Sequence, residues 1–212
     1  MANPTAIFVF LISLILLSHN FSTALDSGDN ETQFNYIEGS DIGPEDWGTL
    51  NPPKWIACGN GTMQSPIDIQ QVQNSSTLEE LEMDYESANA TLVNSGHDIA
   101  VVWTQDAGKI TINGTDYKLL KCHWHSPSEH TFNGTSYDLE IHVVHKSSSG
   151  KFAVVGILYK NGSSDDPFLS KVKTVSREQV EALKAAVDNG SHSNARPTQQ
   201  ANGRLEQLYS PN

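Results

Sequence analysis

Between residues 64 and 160 the chain keeps returning to one device: a short apolar segment, then a cluster of turn-forming residues. The segments run Ala90–Asn94, Ile99–Thr104, Lys109–Ile112, Tyr117–His125, Tyr137–His145 and Phe152–Tyr159. Ser-Gly, Ala-Gly, Asn-Gly and Ser-Ser-Ser-Gly separate them. Strands this short, broken by turn signals every ten residues or so, predict a largely antiparallel β domain. At 212 residues the chain has the length of one good-sized domain. One helix is expected after the strands. Ser176 and Gln179 form a capping box, Val180, Leu183 and Val187 share a face, and Gly190 can close the end in a left-handed conformation. Residues 25–60 read as irregular, with Phe34, Tyr36 and Trp47 among Gly, Pro and Asn.

The first 24 residues differ from the rest. An apolar run from Ile7 to Leu17 precedes Ser22-Thr23-Ala24, small residues that suit a cut before Leu25. Residues 1–24 are therefore expected to be a secretory signal peptide, leaving 25–212 as the domain. A membrane anchor is the alternative, but the run falls short of the roughly 20 residues a bilayer requires. Eight N-x-S/T triplets begin at Asn30, Asn60, Asn74, Asn89, Asn113, Asn133, Asn161 and Asn189. They are candidate glycosylation sites. Five of them are also Asn-Gly pairs, which form turns for their own reasons. A net charge of −12 argues against nucleic acid or an anionic membrane surface as partner. Oligomeric state leaves no mark on the sequence. The two cysteines, Cys58 and Cys122, would by default be bridged in a secreted chain.

Chemistry concentrates in "KCHWHSPSEHTFNG", residues 121–134, where His123, His125 and His130 fall within eight residues. Side chains alternate along a strand. Tyr117, Leu119, Lys121, His123 and His125 are expected on one face, with Lys118, Leu120, Cys122 and Trp124 on the other. His123 and His125 then sit about 6.6 Å apart at the backbone and point the same way. The next strand puts Glu140 and His142 on one face, and an antiparallel return would bring His142 alongside. Three neutral imidazoles leave a tetrahedral zinc one open position, the catalytic arrangement. Glu140 is placed to accept the spare N–H of His142 and so orient it. A histidine-rich exposed strand explains the same spacing equally well.

Six stretches in one order break that tie: "QSPIDI" (64–69), "NSGHD" (94–98), "HWHSPSEH" (123–130), "DLEIHVVH" (138–145), "AVVGILY" (153–159) and "NARPTQQANGR" (194–204). Together they resemble the α-class carbonic anhydrases, in the style of the secreted plant members, across residues 34–204. The resemblance implies a central, largely antiparallel twisted sheet with peripheral helices. It implies Zn2+ on His123, His125 and His142, and reversible hydration of CO2 to bicarbonate. His97 matches the proton shuttle, a role that an unperturbed pKa near 6.5 suits. Val144 and Val154 match the apolar CO2 pocket, and Tyr36 an active-site tyrosine. Glu140 and the Asn194 carbonyl match the partners of His142 and His125. Glu129 matches a relay carboxylate. His130 falls outside the ligand set, as a structural residue.

Two departures stand out. Position 121 is usually glutamine in the family, accepting a hydrogen bond from the first ligand histidine; lysine has donors and no acceptor. "DPFLSK" also runs straight into "VKTVSREQV", where relatives carry several dozen further residues. A deletion at the 171/172 junction would remove the Ser-Leu-Thr-Thr-Pro-Pro stretch whose threonine hydrogen-bonds Glu129. It would also remove neighbouring strands and the usual partner of Cys58, so no Cys58–Cys122 bridge is expected. Zinc binding should survive these losses better than turnover. The competing expectations are a non-catalytic storage or binding glycoprotein, as known in tubers, and a truncated product that folds poorly. The extracellular space is the expected destination, with the chloroplast reachable through the secretory route.

Overall fold

The computed structural model describes residues 32–70, 72–75, 78–160, 177–187 and 193–209. The expected leader, Asn30, Asn161, Asn189, the Ser176 cap, Gly190 and the 171/172 junction lie outside the described residues. Among those described, no helix is long and apolar enough to cross a membrane.

The fold is mainly β, as the turn spacing predicts. Seven strands form the main sheet: β3 (Glu82–Tyr85), β4 (Ala90–Asn94), β5 (Ile99–Trp103), β6 (Gly108–Ile112), β7 (Thr115–His125), β9 (Leu139–Ser147) and β10 (Phe152–Tyr159). Short pairs flank it: β1 (Asp68–Ile69) with β8 (Thr131–Phe132), and β2 (Gln73–Asn74) with β11 (Gln207–Leu208). The stretch expected to be irregular holds two four-residue helices, α1 (Trp47–Leu50) and α2 (Ala57–Asn60). The predicted late helix is α3 (Arg177–Ala186), with Val180 and Val187 buried.

Strand β7 is the spine. At eleven residues it is long enough to take β9 along one edge and two strands along the other. Strand β6 pairs with its first half and β5 with its second. The β6–β7 hairpin closes on Asn113-Gly114, with φ of 49° and 71°. Both central residues of a type I′ turn need positive φ, which Asn tolerates and Gly adopts freely. All pairings in this sheet are antiparallel. Strand β10 lies at one end of its order and β4 at the other.

One expectation about β7 is corrected. Its register against β9 slips between Leu119 and Lys121, so Leu119 pairs with His145 whereas Lys121 pairs with Val144. The extra residue is a β-bulge, and it switches the alternation. Tyr117 and Leu119 therefore share a face with Cys122, not with His123. That face builds the core: Ile110, Tyr117, Ala153 and Val155, with Leu81, Ile112, Val143 and Ile157 packed on them. The opposite face carries Lys121, His123 and His125, next to Glu140, His142 and Val144. The bulge lets one strand end in core on one side and begin a polar site on the other. Cys58 in α2 is half-buried and Cys122 in β7 is buried, and both are free thiols.

Candidate metal centre

Register assembles the site. His123 stands opposite His142 across the β7–β9 pair, and His125 opposite Glu140. Residues directly opposite on antiparallel strands share a face at close range. One ring nitrogen from each of His123, His125 and His142 can be chosen so that all lie within 4.8 Å of one another. Ring centroids are 4.9, 5.2 and 4.7 Å apart. His125 and His142 are buried.

The outer partners fix which nitrogen faces inward. His125 Nδ1 lies 2.6 Å from the Asn194 carbonyl oxygen. A carbonyl only accepts, so Nδ1 carries the proton and Nε2 keeps its lone pair. That Nε2 is buried without a hydrogen-bond partner. His142 Nε2 donates to Glu140 Oε1 at 2.7 Å, which leaves Nδ1 as the lone-pair nitrogen. A buried, unpartnered lone pair on His125 Nε2 near the lone-pair nitrogen of His142 is the donor chemistry a zinc ion takes. Burial, then the neighbouring His125, His142 and Lys121, hold His123 well below the ordinary histidine pKa. Neutral imidazole is the ligating form.

His123 itself is incompletely held. Its Nδ1 is buried and meets no hydrogen-bond partner among the described residues. Lys121, on the same strand face, offers only donors. Lys121 thus has a visible counterpart: a buried His123 ring nitrogen with no acceptor or donor among the described residues.

Glu140 is the hub beneath the triad. Its carboxylate is fully buried and accepts four hydrogen bonds: Oε1 from His142 and from His130 Nδ1, Oε2 from the backbone N–H groups of Glu129 and His130. Burial would raise its pKa, but the hydrogen bonds and positive character of His130 and His142 hold it far below the usual carboxylate range. The same contact raises the pKa of His142 against the opposing effect of burial. His130, expected to be a structural residue outside the ligand set, meets His142 only through the Glu140 Oε1 that both rings share. It completes a chain from Ser65 Oγ, 3.0 Å from His130 Nε2. The close grouping of His130, Glu140 and His142 is thus a hydrogen-bonded brace, its lone pairs already spent.

Glu129 approaches from the loop after β7. Its Oε1 accepts the Arg196 backbone N–H at 2.9 Å. Its Oε2 lies 3.5 Å from His125 Nε2 and 3.8 Å from His142 Nδ1, the two inward nitrogens. No described residue donates a conventional hydrogen bond to it. Tyr36 borders the same carboxylate: burial, then Glu129 and Asp98, push its phenol well above the ordinary range. Its ring packs on Phe34 and Trp47, with centroids 5.9 and 5.2 Å away.

His97 lies in the turn between β4 and β5, its ring 4.4 Å from Phe34 by centroid. Asn194 ties this turn to the triad. Its Nδ2 donates to the carbonyls of His97 and Trp124, and its Oδ1 accepts the Ser126 N–H. Val144 and Val154 are cross-strand partners on the site face, two pairs along from His142 and Gly156. The Arg196 contact went unread in the sequence. A signal existed: docking residue 194 on His125 carries residue 196 towards position 129. Asn60, Asn74, Asn89, Asn113 and Asn133 are all exposed.

Comparisons agree with this geometry. Residues 42–177 match the family described as eukaryotic-type carbonic anhydrase. Alpha carbonic anhydrase 4 of Arabidopsis thaliana is 38% identical over 265 residues, covering 99% of this chain and 98% of the relative. Dioscorin DB3L of Dioscorea polystachya is 43% identical over 192 residues, covering 90% and 68%. A crystal structure of dioscorin complexed with ascorbate superposes with a TM-score of 0.75 at 35% identity, covering 84% of this chain and all of that one. The α-carbonic anhydrase of Thermovibrio ammonificans, solved with sulfanilamide, gives 0.71 at 27% identity over the same shares.

Proposed function

The chain belongs to the eukaryotic-type carbonic anhydrase family, and from that premise we propose that it is a secreted zinc enzyme interconverting CO2 and bicarbonate, with slow turnover. One observation carries the metal reading: Asn194 and Glu140 already hold His125 and His142 in the tautomers that ligate. Zinc bound there supplies acidification of a coordinated water, for which carbonic anhydrases are themselves the standard example.

The chain's residues divide the remaining work. Val144 and Val154 give the site face an apolar wall suited to CO2. His97 is placed in a turn coupled to the triad through Asn194, and takes the outgoing proton. Tyr36 lines the same space beside Glu129. Slow turnover follows from the unsupported Nδ1 of His123 and from the shortened C-terminal half. The Arabidopsis match spreads over 265 aligned positions although this chain has 212 residues, which supports an internal deletion, and we place it at the 171/172 junction. Exposure of the five described sequons supports glycosylation and passage through the secretory route.

Zinc-loaded protein, stoichiometry set by equilibrium dialysis, is to be assayed for CO2 hydration by stopped flow. The expected rate lies above buffer and disappears on chelation. A buffer-level rate with a full equivalent of zinc bound would favour a second reading, a non-catalytic storage or binding glycoprotein. The similarity to dioscorins is what supports that alternative.

A further inference from the structure

We infer that Asn113 is a modification site: in the unglycosylated chain it converts spontaneously to isoaspartate, while the other described Asn-Gly pairs are held back. Glycine after asparagine favours the reaction, because no Cβ shields its amide nitrogen. The Gly114 nitrogen attacks the side-chain carbonyl carbon of Asn113. A C–N bond forms and ammonia leaves, giving a succinimide ring. Water then opens the ring at the backbone carbonyl, so that the chain runs on through the side-chain carbon. The sum is asparagine plus water to isoaspartate plus ammonia.

Six Asn-Gly pairs occur in the sequence, and four lie among the described residues, beginning at Asn60, Asn113, Asn133 and Asn202. Three of these are matched turns. Asn113, Asn133 and Asn202 have φ of 49°, 49° and 53°, and the glycines after them 71°, 72° and 73°. All three asparagines are exposed. Backbone shape and solvent access therefore do not separate them, and hydrogen bonds do. The Gly134 N–H donates to Asp68 Oδ1 at 2.9 Å, which ties down the attacking nitrogen. Asn202 Nδ2 donates to the Thr62 carbonyl at 2.9 Å, which ties down the leaving group. At the fourth pair the Gly61 N–H donates to the Ala57 carbonyl at 3.0 Å and closes α2. Neither the Asn113 amide nor the Gly114 N–H has such a bond among the described residues. Space is open there too: a Cβ on Gly114 would meet nothing within 4 Å.

The position gives the change its consequence. Asn113 and Gly114 are the whole loop between β6 and β7, the strand that carries His123 and His125. Isoaspartate lengthens the main chain by one atom in a loop whose length sets the hairpin register. Asn113 also heads an N-x-S/T triplet. A glycan on Nδ2 would occupy the nitrogen that has to leave, so the sugar guards the hairpin.

The test uses the full chain made in a host without N-glycosylation, kept folded in mildly alkaline buffer and sampled by peptide mapping with isoaspartate detection. Asn113 should react faster than Asn60, Asn133 and Asn202 by about fivefold or more, the scale of one hydrogen bond broken before attack. In urea the four rates should converge. Asp68→Ala should free the Gly134 N–H and raise the rate at Asn133 towards that at Asn113. An unreacted Asn113, or another pair reacting as fast in the folded chain, would overturn the inference. A gap that persists in urea would do the same, because flanking sequence alone would then explain it. So would a folded Asp68→Ala chain with Asn133 unchanged; should that variant unfold, the wild-type rates decide alone.

Discussion

Lys121 sets the terms for His123. An imidazole with one nitrogen free of acceptors can rotate and change tautomer, and each alternative costs metal affinity. Lys121→Gln restores an acceptor on the right strand face. It should tighten zinc about tenfold or more, the usual scale for such a partner; chelator competition giving an unchanged constant would contradict this. A second residue carries a pH dependence away from the metal. His145 is fully buried, its Nε2 2.8 Å from the Tyr85 hydroxyl and its Nδ1 facing the Ala153 carbonyl. Burial pulls its pKa from 6.5 down to about 4. Between those values the unfolded chain binds a proton that the folded chain refuses. Stability from this group is complete above pH 6.5 and is lost as pH falls towards 4, by roughly 2–3 kcal/mol. Urea midpoints across that window should decline in the wild type and decline less in His145→Gln; parallel profiles would count against it. Strand alternation grouped the ligand histidines and Glu140 as candidates, and the resemblance chose a metal site over an exposed histidine-rich strand. Asn194 could not be read from spacing, because its carbonyl acts on a partner 69 positions earlier; only the resemblance pointed to it. His130 was set apart because no local spacing reveals a carboxylate shared between two rings.

At the scale of elements, the β7–β9–β10 ribbon does two jobs on two faces. Its strands were legible from turn chemistry, and β4 and β10 begin and end where the apolar segments do. The bulge at Leu119/Lys121 was not. Apolar Leu119 and Leu120 are adjacent, so either can serve as the inward residue, and only pairing with β9 decides. Gly156 shows how tightly the ribbon is fitted to the site. It pairs with His142, and a Cβ there would meet Glu140 Oε1 at 3.0 Å. That oxygen cannot swing aside without breaking the bonds to His130 and His142. Gly156→Ala should therefore lower zinc affinity about tenfold and cost about 1–3 kcal/mol of stability through overpacking. Wild-type affinity and an unchanged melting temperature would show that the hub has room to move.

For the whole molecule, the sheet order leaves β10 at an end, and no described residue pairs with its outer edge. A strand of eight residues at the end of a sheet can serve as a template for another chain. The protein is expected to self-associate with rising concentration in sedimentation velocity. Inserting a full-length relative's segment between Lys171 and Val172 should return it to a monomer; association unaffected by the insertion would place the contact elsewhere. The mainly β architecture was readable from turn spacing, whereas the strand that ends the sheet is set by long-range pairing that no local pattern encodes. The reach of Asn194 finally has a meaning in time. A ribosome delivers the chain from its N-terminus, so the three histidines emerge and can pair into strands well before residue 194 exists. Until then the His125 ring has no carbonyl to choose its tautomer, and Glu129 has no Arg196 N–H to steady it. The ligand set is therefore held in its metal-ready form only once residues 194 and 196 have docked.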